Sequence, residues 1–235
     1  MKNKNIAIIT ARGGSKRIPK KNVKSFCGKP ILAYSIEAAR NSDIFSEVMV
    51  STDSEEIAEL ARKYGAEVPF MRSSETSNDY ATTADVIMEV MKKYEESGRT
   101  FDYICCIYPT APFVTPEKLK EAMKTMEEHN PLCVMPVVKF SYPPQRSFVL
   151  KEDGSMEYKY REYRTARSQD LEGWYHDAGQ FYCYNAKEFL ERSGVISDGI
   201  YPVIVSEMQV QDIDNEEDWK IAELKYKLLK EDGGI

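Results

Sequence analysis

Short apolar runs alternate with stretches of helical apolar spacing from the first residues to about residue 138. No other feature of the chain constrains its fold as tightly. Parallel strands need a long crossover between them, usually a helix, so the alternation predicts an α/β fold with a mainly parallel sheet flanked by helices. Strands are expected over 6–10, 47–51, 68–71, 103–108, 132–138, 180–184 and 202–206. Helices are expected from Pro30, from Glu55 to about 64, from Thr82 or Thr83 to about 96, from Pro116, over 186–192 and from 216 to about 230. Pro30 and Pro116 suit a first helical turn, Thr115 a hydroxyl cap, and Gly65 a helix end. The chain reads as one domain, 1–235.

The rhythm breaks over 139–173, where Pro143-Pro144 precede two β-like stretches, 146–150 and 156–160, around Asp153-Gly154. This is the pattern of a projecting hairpin arm. Its Tyr158, Tyr160, Arg161, Tyr163, Arg164 and Arg167 are residue types enriched at interfaces, so a homodimer formed through 139–173 is expected, with a solvated cover as the alternative.

A hydrophobic share of 42% with 12 Gly and 11 Pro excludes disordered and collagen-like chains. No apolar run approaches the ~18 residues that span a bilayer, and the opening MKNKNIAIITARGG has no signal-type cleavage site, so a cytoplasmic protein is expected. Five cysteines, odd in number and without CxxC spacing, read as buried thiols rather than disulfides or a zinc site. The net charge of −6 gives no reason to expect nucleic acid or an anionic membrane as partner. That total hides an asymmetry. Residues 1–36 hold nine bases and no acid, while the rest of the chain holds 23 bases and 38 acids. Such a segment suits a small anion.

Ala11-Arg12-Gly13-Gly14-Ser15-Lys16-Arg17 directly follows the first strand. In a parallel sheet this is the carboxyl edge, where open α/β folds bind ligands. Two glycines allow backbone amides to approach a phosphate, Ser15 adds a donor, and Arg12, Lys16 and Lys21 add charge. Neither the GxxxxGK[ST] nor the GxGxxG pattern is present, and a solvated basic turn is the bland alternative.

The run ITARGGSKRIPKKNVKSFCGKPIL is similar to the opening signature of the CMP-sugar-acid synthetases, the cytidylyltransferases that activate sialic acid and related nine-carbon 2-keto sugar acids. Further matches are Arg72 with Ala81-Thr82-Thr83, the segments 108–113 and 175–182, and Gln211-Asp212-Ile213-Asp214, so the resemblance spans nearly the whole chain. It implies a Rossmann-like nucleotidyltransferase fold with an arm exchanged in a homodimer, CTP as co-substrate, Mg²⁺ as cofactor and pyrophosphate as product. By position, Ala11, Arg12, Gly13, Gly14, Ser15, Lys16, Lys21 and Asn22 would hold the nucleotide, with Lys21 near the phosphates and Asn22 near the base. Arg72 and Thr82 or Thr83 would complete that pocket. Tyr108, Asp177 and Gln180 lie at the ends or starts of central strands, where their polar groups can face the crevice and the sugar, with core or strand-edge packing as the alternative for each. Thr10 stands where the family usually has proline, Arg17 where the sialic acid enzymes have glycine, and Tyr108 where they have glutamine. The last two departures, with the wording YHDAGQFY, favour pseudaminic acid over N-acetylneuraminic acid as acceptor, activated for surface or flagellin glycosylation, with N-acetylneuraminic acid, legionaminic acid or an eight-carbon keto acid as alternatives. A nucleotide-binding protein without turnover is the reading from a different class.

Asp212 and Asp214 are two apart, so in an extended segment both carboxylates point to one side, as a single hard cation requires. Spacing alone leaves an alternative open, that Asp214 or Asn215 caps the helix starting at Glu216. The resemblance assigns Asp212 and Asp214 to the metal and, with Arg12 and Lys21, to catalysis. The reaction it implies is in-line attack by the anomeric 2-hydroxyl on the α-phosphorus of CTP. No general base stands out: Asp212, a metal-activated hydroxyl and His176 are candidates, His176 equally a sugar contact or a packed side chain, and His129 reads as a helix-end residue.

Overall fold

The computed structural model describes residues 4–235, so Lys2 of the basic opening segment lies outside the described residues. The order of elements is β1 (Asn5–Thr10), β2 (Ser25–Phe26), β3 (Lys29–Pro30), α1 (Ile31–Asn41), β4 (Glu47–Ser51), α2 (Glu55–Lys63), α3 (Ser74–Ser77), α4 (Thr83–Glu96) and β5 (Tyr103–Ile107). The second half runs α5 (Pro116–His129), β6 (Cys133–Lys139), β7 (Phe148–Leu150), β8 (Met156–Tyr158), β9 (Tyr175–Asp177), β10 (Phe181–Asn185), α6 (Ala186–Glu191), β11 (Ile200–Val205) and α7 (Glu216–Glu231).

Seven strands form one mixed sheet in the order β11-β6-β10-β5-β1-β4, with β9 paired to β6. β1 pairs in parallel with both β4 and β5, and β6 in parallel with β11, while β10 runs antiparallel between β5 and β6. Central β1 is buried on both faces. Ala7 and Ile9 join the core beneath α1, α2 and α5, and Ile6 and Ile8 join the core beneath α4 and α6. Strands covered on both sides read as continuous apolar runs, which is why β1 and β5 stand out in the sequence. Each buried Ile contributes roughly 1.5–3 kcal/mol by burial.

A third cluster joins Ile18, Phe26, Ile31, Tyr34, Phe113, Ile213, Trp219 and Ala222. It fastens the segment before α7 against the residues that follow the first loop. Phe26 meets Tyr34, Trp219 and Tyr226 edge-on at centroid distances of 5.5–5.6 Å. Helical spacing predicts Trp219, Met88, Met91, Met123 and Met126 as core residues; all are buried but Met88, which packs half-buried against the core.

Two expectations are corrected. The run 68–71 is not a strand: Glu67 alone bridges to Met49, and Pro69 next lacks the N–H a ladder needs. Pro30 is the residue before α1 rather than its first helical residue, at φ −55° and ψ 139°. The strand expected over 180–184 does form, as β10, but it opposes its neighbours. Among the described residues the five cysteines are free thiols, and burial pushes that of Cys106 up to about 12. No helix of the described residues is long and apolar enough to cross a membrane. The β7–β8 hairpin forms a separate two-stranded sheet within 139–173.

Candidate active site

The loop after β1 opens on a cleft of about 430 Å³ lined by Arg12, Gly14, Ser15, Lys16, Lys21, Asn22 and Tyr108, among others. A second cleft of about 600 Å³ lies beside it, lined by Tyr108, Lys139, His176, Asp177, Asp212 and Lys225, among others. Tyr108, just past the end of β5, is common to both. Thus β1 delivers a basic loop to one cleft, and the turn before β10 delivers Asp177 to the other. The antiparallel course of β10 makes this possible. Its first residue, Phe181, sits opposite Ile107, the last residue of β5, and Tyr108 N donates to Gln180 O at 2.8 Å.

Local contacts explain why the loop holds its shape. Gly13 N donates to Asp53 Oδ1 at 2.7 Å, and a Cβ on Gly13 would lie 3.0 Å from Ser54 Cβ, so a side chain there would press on the start of α2. That amide therefore faces Asp53, not the cleft. Asn22 is buried and its amide donates to Arg12 O at 2.9 Å, bracing the loop from behind. Ser15 N reaches back to Gly13 O at 3.1 Å. Arg12 Nη1 donates to Asp79 Oδ1 at 2.9 Å and to Asn78 O at 3.1 Å, and Lys16 Nζ pairs with Asp79 Oδ2. These bonds from Lys16 and Arg12 hold the Asp79 carboxyl below its usual range.

Lys21 connects the loop to the acidic segment. Its Nζ donates to Ile213 O at 2.6 Å. Burial pulls its pKa below the ordinary lysine value, while Asp214 and Asp212 act in the opposite direction. Ile213 is 2% exposed in the third core cluster, and the two carboxylates flanking it are turned away from that core. Asp212 lines the second cleft, and Asp214 Oδ2 pairs with Arg17 Nη1 at 2.6 Å. The α7 cap is Asn215, whose Oδ1 accepts from Glu217 N at 2.8 Å and Asp218 N at 3.0 Å. Asp214 contributes its backbone N–H to Asp218 Oδ2 at 2.9 Å, leaving its carboxylate outside the cap. Asp212 and Asp214 are hard oxygen donors of the type Mg²⁺ takes, one or two carboxylates with water and phosphate oxygens completing its shell, and Asp214 is held by Arg17. No cluster of three or more His, Cys, Asp or Glu residues suited to a metal occurs among the described residues.

Other residues expected at the site lie around it. Arg72 is buried: its Nε donates to Ser51 Oγ at 3.0 Å and its Nη2 to Ser51 O at 2.6 Å, at the end of β4. Burial lowers its pKa, and Asp53 and Glu89 oppose that shift. Thr82 caps α4 through a reciprocal box with Asp85, and Thr83 follows as the first helical residue. Asp177 accepts from Gly179 N at 2.7 Å and from Tyr182 Oη at 2.6 Å. Burial first, and then the bond to Asp177, push the Tyr182 phenol well up. Gln180 is buried behind the cleft and donates to Gln209 O at 2.5 Å. His176 Nδ1 lies 2.9 Å from Asp177 O, and its ring packs on Phe140. His129 stacks on Tyr201 at the end of α5, away from both clefts. Sequence reasoning missed Asp53, Asp79, Lys139, Tyr182 and Lys225. Lys225 Nζ donates to Val210 O at 2.7 Å, bracing the stretch that leads to Asp212.

A family model described as cytidylyltransferase matches residues 6–215. A pseudaminic acid cytidylyltransferase of Campylobacter jejuni is 40% identical over 228 residues, covering 97% of this chain and 98% of the relative. A CMP-N,N'-diacetyllegionaminic acid synthase of Legionella pneumophila is 30% identical over 233 residues, covering 96% and 97%. Among solved structures, a CMP:2-keto-3-deoxy-manno-octonic acid synthetase complexed with CTP superposes with a TM-score of 0.70 at 18% identity, over 97% of this chain and 99% of that one.

Proposed function

The chain belongs to the cytidylyltransferase family, and from that membership we propose that it transfers CMP from CTP to the anomeric 2-hydroxyl of pseudaminic acid, releasing pyrophosphate. The observation that carries this reading is the meeting of two clefts at Tyr108, one lined by the basic loop and one by Asp177 and Asp212. A triphosphate fits the first and a polar acid of sugar size the second. The full-length match at 40% identity to the Campylobacter relative supports pseudaminic acid as that sugar.

Arg12, Lys16 and Lys21 would hold the phosphate chain and offset the charge that develops on its oxygens, which is where most of the rate in such a transfer arises. Asp212 and Asp214 would hold Mg²⁺, which when bound supplies further charge neutralisation at the phosphates. Lys21, tied to Ile213 O, keeps the basic loop and the acidic segment in register. Asp212 lines the acceptor cleft and is our candidate to accept the proton of the attacking hydroxyl. Tyr108 and Tyr182, with ring centroids 5.5 Å apart, would wall the boundary between donor and acceptor.

We also propose a homodimer formed through 139–173. The β7–β8 hairpin exposes Phe148, Leu150 and Met156 at 51%, 69% and 65%, more apolar surface than a two-stranded ribbon sustains alone.

Pyrophosphate release measured with CTP, Mg²⁺ and a panel of sugar acids tests the function. Release with pseudaminic acid is expected. Release only with N-acetylneuraminic or legionaminic acid overturns the acceptor, and CTP binding without release from any acid makes the protein a nucleotide-binding module.

A further inference from the structure

Two of the three cations expected to receive the phosphate chain, Arg12 and Lys16, end on one carboxylate, that of Asp79. The partners are 67 and 63 residues apart in sequence, so the contact belongs to the tertiary fold. Its setting is braced. At one end of the segment carrying Asp79, Arg72 N donates to Thr52 O at 2.8 Å, and the Arg72 side chain grips Ser51. Next, Glu89 accepts from Ser73 N and Ser73 Oγ, each at 2.9 Å, and from Thr76 Oγ1. At the other end Thr82 is fixed by its reciprocal cap with Asp85. Between these anchors Asn78 Oδ1 accepts from Tyr80 N at 2.8 Å and Ala81 N at 3.0 Å, forming the turn that presents Asp79.

We propose that Asp79 is a built-in counter-anion for the glycine loop, which a nucleotide triphosphate must displace from Arg12 and Lys16, and which thereby sets the affinity for CTP. This rests on the reading that CTP binds on this loop. The pair side chains are 38%, 77% and 45% exposed for Arg12, Lys16 and Asp79, so solvent screens them and the exchange is cheap. A triphosphate brings more charge and more acceptor oxygens than one carboxylate, and it wins both cations through charge-assisted bonds. Arg72 and Thr82 thereby take on a second meaning: they hold the ends of the segment that positions the competitor.

The test is calorimetric titration of CTP at low ionic strength, without divalent metal, into the wild-type protein, Asp79→Asn, Asp79→Glu and Arg12→Ala, each checked for an unchanged circular dichroism spectrum. Asp79→Asn should bind CTP about two- to fivefold more tightly, the range expected for releasing cations from an exposed partner. Asp79→Glu should bind like wild type, and the advantage of Asp79→Asn should vanish near 0.5 M salt, where screening is short-ranged. Affinity unchanged or weakened in Asp79→Asn overturns the proposal and makes Asp79 a structural or metal-directed residue. If Arg12→Ala binds CTP as well as wild type does, the placement of the nucleotide on this loop falls, and the counter-anion role with it.

Discussion

At the scale of single residues, Asp214 and Asn215 separate two roles that spacing alone leaves confounded. Asn215 caps α7, and Asp214 faces Arg17 from outside the cap. Asp214→Ala should therefore lower turnover by ~10²-fold or more, the scale seen when one transition-state charge partner is lost. Its stability should change by less than about 1 kcal/mol, since only an exposed ion pair is removed. Asn215→Ala should do the opposite, costing about 1 kcal/mol of stability while leaving the metal dependence of turnover unchanged. Steady-state kinetics over a Mg²⁺ series, with thermal melts of both variants, checks the pair. That Ile213 is buried while the acids flanking it lie off the core was legible from one apolar residue set between two acids. Asp79 and Tyr182 were not legible, because what singles them out is a partner brought near by folding: Arg12 for one, and Tyr108 across the β5–β10 pair for the other.

At the scale of elements, α4 is more than a cover for the sheet. Glu89 on its inner side gathers Ser73, Thr76 and Lys93, and so ties α3 and the segment after β4 to the helix. Burial works to raise the Glu89 pKa, but the bonds from Lys93, Thr76 and Ser73 outweigh it and bring the value from 4.5 down to about 2. A carboxyl whose pKa is depressed on folding binds fewer protons folded than unfolded. Its stabilising contribution is therefore complete above pH 4.5 and is lost progressively as pH falls toward 2. Glu89→Gln should lower the melting temperature at pH 7 and flatten the acid limb between those values. Melting curves over a pH series decide it, and parallel acid limbs for the two proteins would contradict it. Helices were legible through their caps, as at Thr82 and Thr115, since a cap is a local bond within three residues. Strand direction was not: nothing within 180–184 distinguishes a parallel strand from the antiparallel β10, which owes its direction to the return of the chain from 139–173.

At the scale of the whole molecule, the same excursion that turns β10 around also carries the exposed hairpin. Replacing Phe148, Leu150 and Met156 together by Ser should convert a dimer to a monomer in sedimentation velocity without altering the circular dichroism of the core, because these side chains are exposed within one chain. A wild-type protein that already sediments as a monomer at micromolar concentration would dispose of this assembly. The reversed β10 has one more consequence. Because β10 begins at the edge where β5 ends, the turn that leads from Asp177, the last residue of β9, into β10 sits beside the basic loop, joined to it through Tyr108. On the roles proposed above for the two clefts, exchange of a few residues in that turn would change acceptor preference while the loop proposed for the nucleotide and its anchoring stay untouched. A scaffold divided in this way can be retuned one half at a time.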